Sequence, residues 1–338
     1  MQKIYVEFYK TFQYYLFNRL VAVLMISLRI FTLIHIACFL LYFTLSANED
    51  RLMPIKEVPL ILNMENLEDL PKNFRMTTPC YLHKHSNPSL PSLEGLLNLN
   101  ASASGQFSAN GLIQILKTIP YNRIMVIDLR EESHGFINGM AVSWYGERNW
   151  HNKEKTFEEI KWDENERLQK LLKNQQVHLY DKYTFNPSSS VHVKEVYTEN
   201  DLICKMGIHH VRLPLTDHVK PGDKQVDSFI ELIKAYHLTQ ENPGYWLHFH
   251  CAAGRGRSTA LIAMYDMIRN ASKVSFKDIL KRHAMIGGKD LTAPFEVNDW
   301  RYPYHFERLE FMKNFYKYCL DNPNLEQNWS SWISKLKY

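Results

Sequence analysis

HFHCAAGRGRSTA (248–260) decides how this chain is read. Upstream, Tyr245 to His250 (YWLHFH) has the aromatic and apolar character of a strand, and downstream TALIAMYDMI (259–268) reads as a buried helix. One cysteine, two glycines and two arginines stand between them. A strand, a glycine-containing loop and a helix in that order turn backbone N–H groups toward an anion. The rest of the chain has to say whether that anion is a reacting phosphate.

Working outward, the spacing predicts a helix over 110–118, a buried strand at RIMVIDL (123–129) and a second strand at HHVRLPL (209–215). A helix over 223–237 follows from Val226, Phe229, Ile230 and Ile233, with Asp223 placed to cap it. Strands alternating with helices imply an α/β domain whose sheet is largely parallel and covered on both faces. Residues 131 to about 205 break this rhythm and read as an inserted, mostly β subdomain. Phe306, Leu309, Met312 and Phe315 predict a closing C-terminal helix.

Within the loop, Cys251 and Arg257 have the spacing C-x5-R. A thiol is a poor nucleophile until it ionises, and a helix N-terminus or nearby cations favour the thiolate. Gly254 and Gly256 allow the backbone to turn its N–H groups inward. Arg257 offers a planar fork for two phosphate oxygens, and Ser258 can hydrogen-bond the sulfur as it leaves. A thiolate attacking phosphorus forms a cysteinyl-phosphate and expels an alkoxide, which needs a proton from a carboxylic acid elsewhere. Asp217 in RLPLTDHVKPGD (212–223) is the candidate, with His218 beside it.

HCAAGRGRST resembles the phosphate-binding loop of the cysteine-dependent protein tyrosine phosphatase superfamily. PKNFR (71–75), LNASASGQFS (99–108), DLREESHGFINGMAVSWYGERNW (128–150) and LTDHVKP (215–221) narrow the likeness to the bacterial cysteine phytases, which are phosphatase-like myo-inositol polyphosphate phosphatases. It runs from about residue 60 to 338. The resemblance implies a phosphatase core over 48–130 and 206–338, with a small partial β-barrel inserted over 131–205. It implies Cys251 as nucleophile, Arg257 as phosphate clamp, Asp217 as general acid, His218 near the scissile phosphate and Ser258 assisting breakdown of the intermediate. Ala252, Ala253, Gly254, Arg255 and Gly256 would line the phosphate. Arg75, Glu132, Lys220, Lys289 and Arg301 are expected around the remaining substrate, with Lys72 a further basic candidate and a buried structural role the equal reading of Glu132. No metal or cofactor is expected, because loop amides and Arg257 neutralise the transferring group.

Three positions depart from the family pattern. Ala252 stands where the loop often carries Glu, and Arg255 where a small apolar residue is usual; phosphatases of the tensin type share a basic residue there. Both changes make the mouth more electropositive and favour a polyanionic substrate, or a lipid headgroup, over a lone phosphotyrosine. Asn149 stands where the family pattern leads one to expect an acid.

Composition bounds the rest. With 338 residues and 45% apolar content the chain can bury a sizeable core. A formal net charge of +4 carries no nucleic-acid footprint. Five cysteines without a close pair form neither a disulfide framework nor a zinc site. Leu20 to Ala47 is almost wholly apolar. It reads as an export signal starting at Met25 and cleaved near residue 47, or as an uncleaved anchor, and either sends the globular part out of the cytoplasm. Membrane contact is expected only through that segment.

The leading expectation is an exported hydrolase of inositol polyphosphates. The alternative is a phosphotyrosine or phosphoinositide-lipid phosphatase. A silent phosphate-binding module would lack the nucleophile, clamp or acid, and none is lacking.

Overall fold

The computed structural model describes residues 57–78, 90–236 and 244–337. The apolar segment at 20–47 lies outside them. Among the described residues no helix is long and apolar enough to cross a membrane.

Along the chain come β1 (Leu60–Leu62), β2 (Arg75–Met76), β3 (Ala101–Ser104), α1 (Ala109–Thr118) and β4 (Ile124–Arg130). Then follow β5 (His134–Ile137), β6 (Met140–Trp144), α2 (Phe157–Asn174), β7 (Gln176–Tyr180), β8 (Pro187–His192) and β9 (Val196–Tyr197). The rest is α3 (Glu199–Lys205), β10 (His209–Leu215), α4 (Asp223–Ala235), β11 (Trp246–His250), α5 (Gly256–Asn270), α6 (Phe276–Met285), α7 (Tyr302–Asp321) and α8 (Trp329–Ser334).

The central sheet has the order β10-β4-β11-β3-β2. Its pairs are parallel except β2 against β3, so the sheet is largely parallel, as the alternating pattern implies. Met125, Ile127, Leu247 and Phe249 pack on one face against Phe229, Ile262, Met312, Phe315 and Trp329. Ile124, Val126 and Trp246 pack on the other against Leu112, Ile115, Ile203 and Phe136. Burial on both faces explains why β4 reads as an unbroken apolar run. The carboxyl ends of β4, β10 and β11 therefore open together at one edge, where open α/β sheets hold their ligands.

The second sheet, β8-β7-β1-β6-β5-β9, takes five strands from between β4 and β10. Its remaining strand is β1, which pairs antiparallel with β6. The 131–205 stretch thus does not build this sheet alone, and it is not mostly β. Its longest element is α2, 18 residues closed at the start by a capping box of Thr156 and Glu159. Ile160, Leu168 and Leu171 form its buried stripe. Asp223 also differs from expectation: Gly222 is the N-cap of α4, and Asp223 accepts from Trp329 Nε1 at 2.8 Å, tying α4 to α8.

Candidate active site

Cys251 leaves the end of β11 and is buried, and α5 begins five residues later at Gly256. Three successive carbonyls of the intervening loop are held from outside. Ala252 O accepts from Gln106 N (3.2 Å), Ala253 O from Asn73 Nδ2 (2.7 Å) and Gly254 O from Arg75 Nη1 (2.7 Å). In a trans peptide the carbonyl and the next N–H point in opposite directions. Pulling these carbonyls outward turns the N–H groups of Ala253, Gly254 and Arg255 inward, which makes an anion-binding nest. Gly254 has φ +70°, and a Cβ there would lie 2.2 Å from Gly105 N, so no other residue fits.

Arg75 is therefore not on the substrate side. It is 1% exposed, and its second arm donates to Thr259 Oγ1 at 2.9 Å. Burial lowers its pKa to about 10, so it remains a cation at neutral pH, with Cys251 opposing that shift and Arg255 adding to it.

Ser258 Oγ lies 3.8 Å from Cys251 Sγ. In the first turn of α5 the Arg257 guanidinium makes a two-pronged contact with Glu132, Nη1 to Oε2 at 2.7 Å and Nη2 to Oε1 at 2.9 Å. It also donates to the Leu129 and Leu215 carbonyls. Arg130 Nε holds the same Glu132 at 2.9 Å. Burial alone would raise the Glu132 carboxyl, but Arg257 and Arg130 override it and hold it well below the usual carboxylate range. Glu132 is thus a buried anchor for the clamp and does not face substrate, which corrects its expected place in the binding set.

Beyond β10, Thr216 Oγ1 donates to Glu131 Oε1 at 3.0 Å. Asp217 Oδ2 sits 3.2 Å from Arg257 Nη2, and Oδ1 accepts from the His218 N–H at 3.0 Å. Asp217 and Arg257 thus meet from the loop after β10 and from α5, and Arg257 also lies within the electrostatic reach of Cys251 at the end of β11. His218 has φ +70° and packs edge-on against Trp300, with ring centroids 5.0 Å apart. Burial, reinforced by Arg257, Arg301 and Arg308, lowers its pKa against the pull of Asp217. Its ring is neutral at neutral pH.

A belt of cations flanks this centre. Arg255 is exposed. Lys289 Nζ lies 3.7 Å and Arg301 Cζ 4.3 Å from the centroid of the Phe295 ring. Asp299 pairs with Arg301. Burial lowers Lys289 to about 8, and repulsion from Arg308, Arg301 and Arg255 adds to it. Arg308 of α7 was not foreseen from the sequence. It is 5% exposed, and its Nε and Nη2 have no hydrogen-bond partner among the described residues. Lys182, in the β7–β8 loop of the second sheet, was also missed; burial lowers its pKa, with Asp217 and Glu132 opposing. Lys220 is exposed on the turn after the acid loop, and Lys72 Nζ faces Glu65 at 3.7 Å.

Among the described residues one group has metal-ligand chemistry, and it involves none of the loop residues. Asp128, His134 and Glu199 bring ligand atoms within 4.8 Å of one another. Arg212 Nε already lies 3.1 Å from Asp128 Oδ2. Burial and Arg130 press His134 down, yet Asp128 and Glu164 carry its pKa up to about 9. The imidazolium and guanidinium fill the place a cation would take, so the constellation is a charge-balanced buried network.

A C-x5-R loop between the last core strand and a buried helix, faced by a loop aspartate, defines the class of cysteine-dependent phosphatases with a tyrosine-phosphatase-like fold. Residues 127–269 match the PTP-like phytase family, whose description reads inositol hexakisphosphate. A solved PTP-like phytase from Bdellovibrio bacteriovorus is 33% identical, covers 83% of this chain and 96% of its own, and superposes with a TM-score of 0.64. This chain belongs to the PTP-like phytases. The PTP-like myo-inositol phosphatase from Mitsuokella multacida, solved in complex with myo-inositol-(1,3,4,5)-tetrakisphosphate, is 34% identical over 83% of this chain and 48% of its own, with a TM-score of 0.77. Effector protein hopD2 of Pseudomonas syringae pv. tomato is 28% identical over 221 residues, 63% of this chain and 46% of its own length. The chain thus spans about half the length of these last two relatives.

Proposed function

We propose that this chain hydrolyses phosphate monoesters of myo-inositol polyphosphates through a cysteinyl-phosphate. The observation that carries this reading is the positive charge in and around the loop beyond Arg257. A single phosphate needs only Arg257 and the loop amides, whereas Arg255, Lys289, Arg301 and Arg308 stand close enough to repel one another; burial first, and that repulsion after it, bring Lys289 down to about 8. Further anionic groups on the same substrate would relieve that repulsion. The Mitsuokella relative, bound to an inositol tetrakisphosphate, supports the same class.

In the first step the Cys251 thiolate attacks phosphorus in line, the bond to the inositol oxygen breaks, and Asp217 gives that oxygen its proton. A phosphate entering the loop competes with Asp217 for Arg257, which frees the carboxyl to carry the proton. In the second step water attacks phosphorus, Asp217 takes its proton, and the departing sulfur is received by Ser258, 3.8 Å away. Inorganic phosphate leaves. The neutral His218 ring lies beside the scissile group as a hydrogen-bond partner. Export from the cytoplasm belongs to this reading; it is supported by the apolar run at 20–47 and by the similarity to an effector protein.

The test compares kcat/KM for inositol hexakisphosphate, a phosphotyrosine peptide and a phosphoinositide lipid, with and without chelator. The hexakisphosphate should lead and chelation should change nothing. Preference for the peptide or the lipid would replace the substrate class proposed here.

A further inference from the structure

Two consecutive residues of the turn after β6 grip one aspartate. Trp150 Nε1 donates to the Asp217 carbonyl at 2.8 Å, and Asn149 Nδ2 donates to Asp217 Oδ2 at 3.2 Å. The turn is built to stay in place. Arg148 and Asn149 both take left-handed backbone (φ 55° and 67°), and the Arg148 guanidinium stacks on Trp150 and Trp300 at 5.4 and 4.8 Å. Trp150 also meets Trp300 and Tyr304 edge-on. Asn149 is 3% exposed.

The other groups around Asp217 are charged or titratable. Arg257 shares the same oxygen, and His218 lies 3.7 Å from it. Arg301 and Arg308 act through space from the C-terminal side, and Lys182 and Tyr145 from the second sheet. The His218 backbone N–H holds Oδ1, and among the described residues Asn149 is the neutral side chain that donates to the carboxyl, at Oδ2.

We infer that Asn149 is a positioning residue for Asp217: its amide fixes the plane of the carboxyl without competing for its proton. The inference rests on the proposed role of Asp217 as general acid. A carboxylate at 149 would remove the donor and add a like charge. Both changes favour the protonated form of the pair, so proton delivery would persist to higher pH. An apolar isostere would leave Asp217 ionisable but unaligned, and misplacement by about 1 Å costs on the order of 100-fold.

The experiment measures kcat against pH for an inositol phosphate and for an aryl phosphate with a good leaving group, in wild type, Asn149→Asp, Asn149→Leu and Asp217→Asn. For Asn149→Asp the alkaline limb on inositol phosphate should move up by on the order of one pH unit. For Asn149→Leu, kcat on inositol phosphate should fall roughly 10- to 100-fold, with KM held and the aryl phosphate little affected. Equal losses on both substrates, or an unmoved limb in Asn149→Asp, would overturn the inference. If Asp217→Asn fails to discriminate between leaving groups, the general-acid reading itself falls. If Asp217→Asn discriminates and the Asn149 variants do not, only the positioning role falls.

Discussion

Arg75 holds the Gly254 carbonyl from behind the catalytic loop, Nη1 to O at 2.7 Å, and so turns the next amide toward the anion. Arg75→Lys cannot reproduce the fork that also reaches Thr259. The buried acceptors left behind should cost about 1–3 kcal/mol of stability. The variant should also bind tungstate more weakly than wild type. Unchanged thermal unfolding together with unchanged oxyanion affinity would show that Arg75 does not shape the loop.

Gly254 leaves no room for a side chain, since its Cβ would meet Gly105 N at 2.2 Å and Ser104 C at 2.4 Å, both backbone. Gly254→Ala should displace the loop and lower kcat about 100-fold or more while the two sheets stay folded. Circular dichroism and turnover measured on the same sample check this. Near-normal turnover would mean that the loop has a second active shape.

Lys289, at about 8, loses its charge as pH rises through that value. Bound phosphates pull it back up, so binding of hexakisphosphate near pH 8 should take up protons, and KM should climb above pH 8. Titration calorimetry in buffers of different ionisation enthalpy reads the uptake directly. Lys289→Arg, always charged, should show neither the uptake nor the climb. Identical heats in all buffers for wild type would contradict the shift.

Arg308 has two buried nitrogens without partners among the described residues. Arg308→Met removes that desolvation cost and part of the repulsion on Lys289, so the unliganded enzyme should not lose stability. Its KM for hexakisphosphate should nevertheless rise about tenfold or more, with little change for an aryl phosphate. Parallel changes for both substrates would place Arg308 outside the polyphosphate contact.

The catalytic loop was legible because its chemistry is contiguous: Cys251, Gly254, Arg257 and Ser258 lie within eight positions, flanked by runs whose burial shows in their composition. Asp217 and His218 were legible from their loop context and the family likeness. Arg75 and Glu132 were read as substrate contacts because a charge in a family stretch does not reveal which side of the loop it faces. That is fixed by tertiary pairing of β2 with β3 and of Glu132 with Arg257. Arg308 sits on α7 among ordinary amphipathic spacing, 52 positions beyond Gly256, and only packing brings its Nη1 to 3.5 Å from where a Cβ of Gly256 would lie. Helix α2 was overlooked because its charged surface masks a narrow stripe of Ile160, Leu168 and Leu171.

A covalent bond between Cys251 and phosphorus is the central claim. Rapid acid quench of Asp217→Asn turning over an aryl phosphate, followed by mass spectrometry of the peptide containing Cys251, tests it most directly. The account predicts one phosphoryl group on that sulfur, absent in Cys251→Ser. An unmodified peptide during steady turnover, or turnover retained by Cys251→Ser, would contradict it.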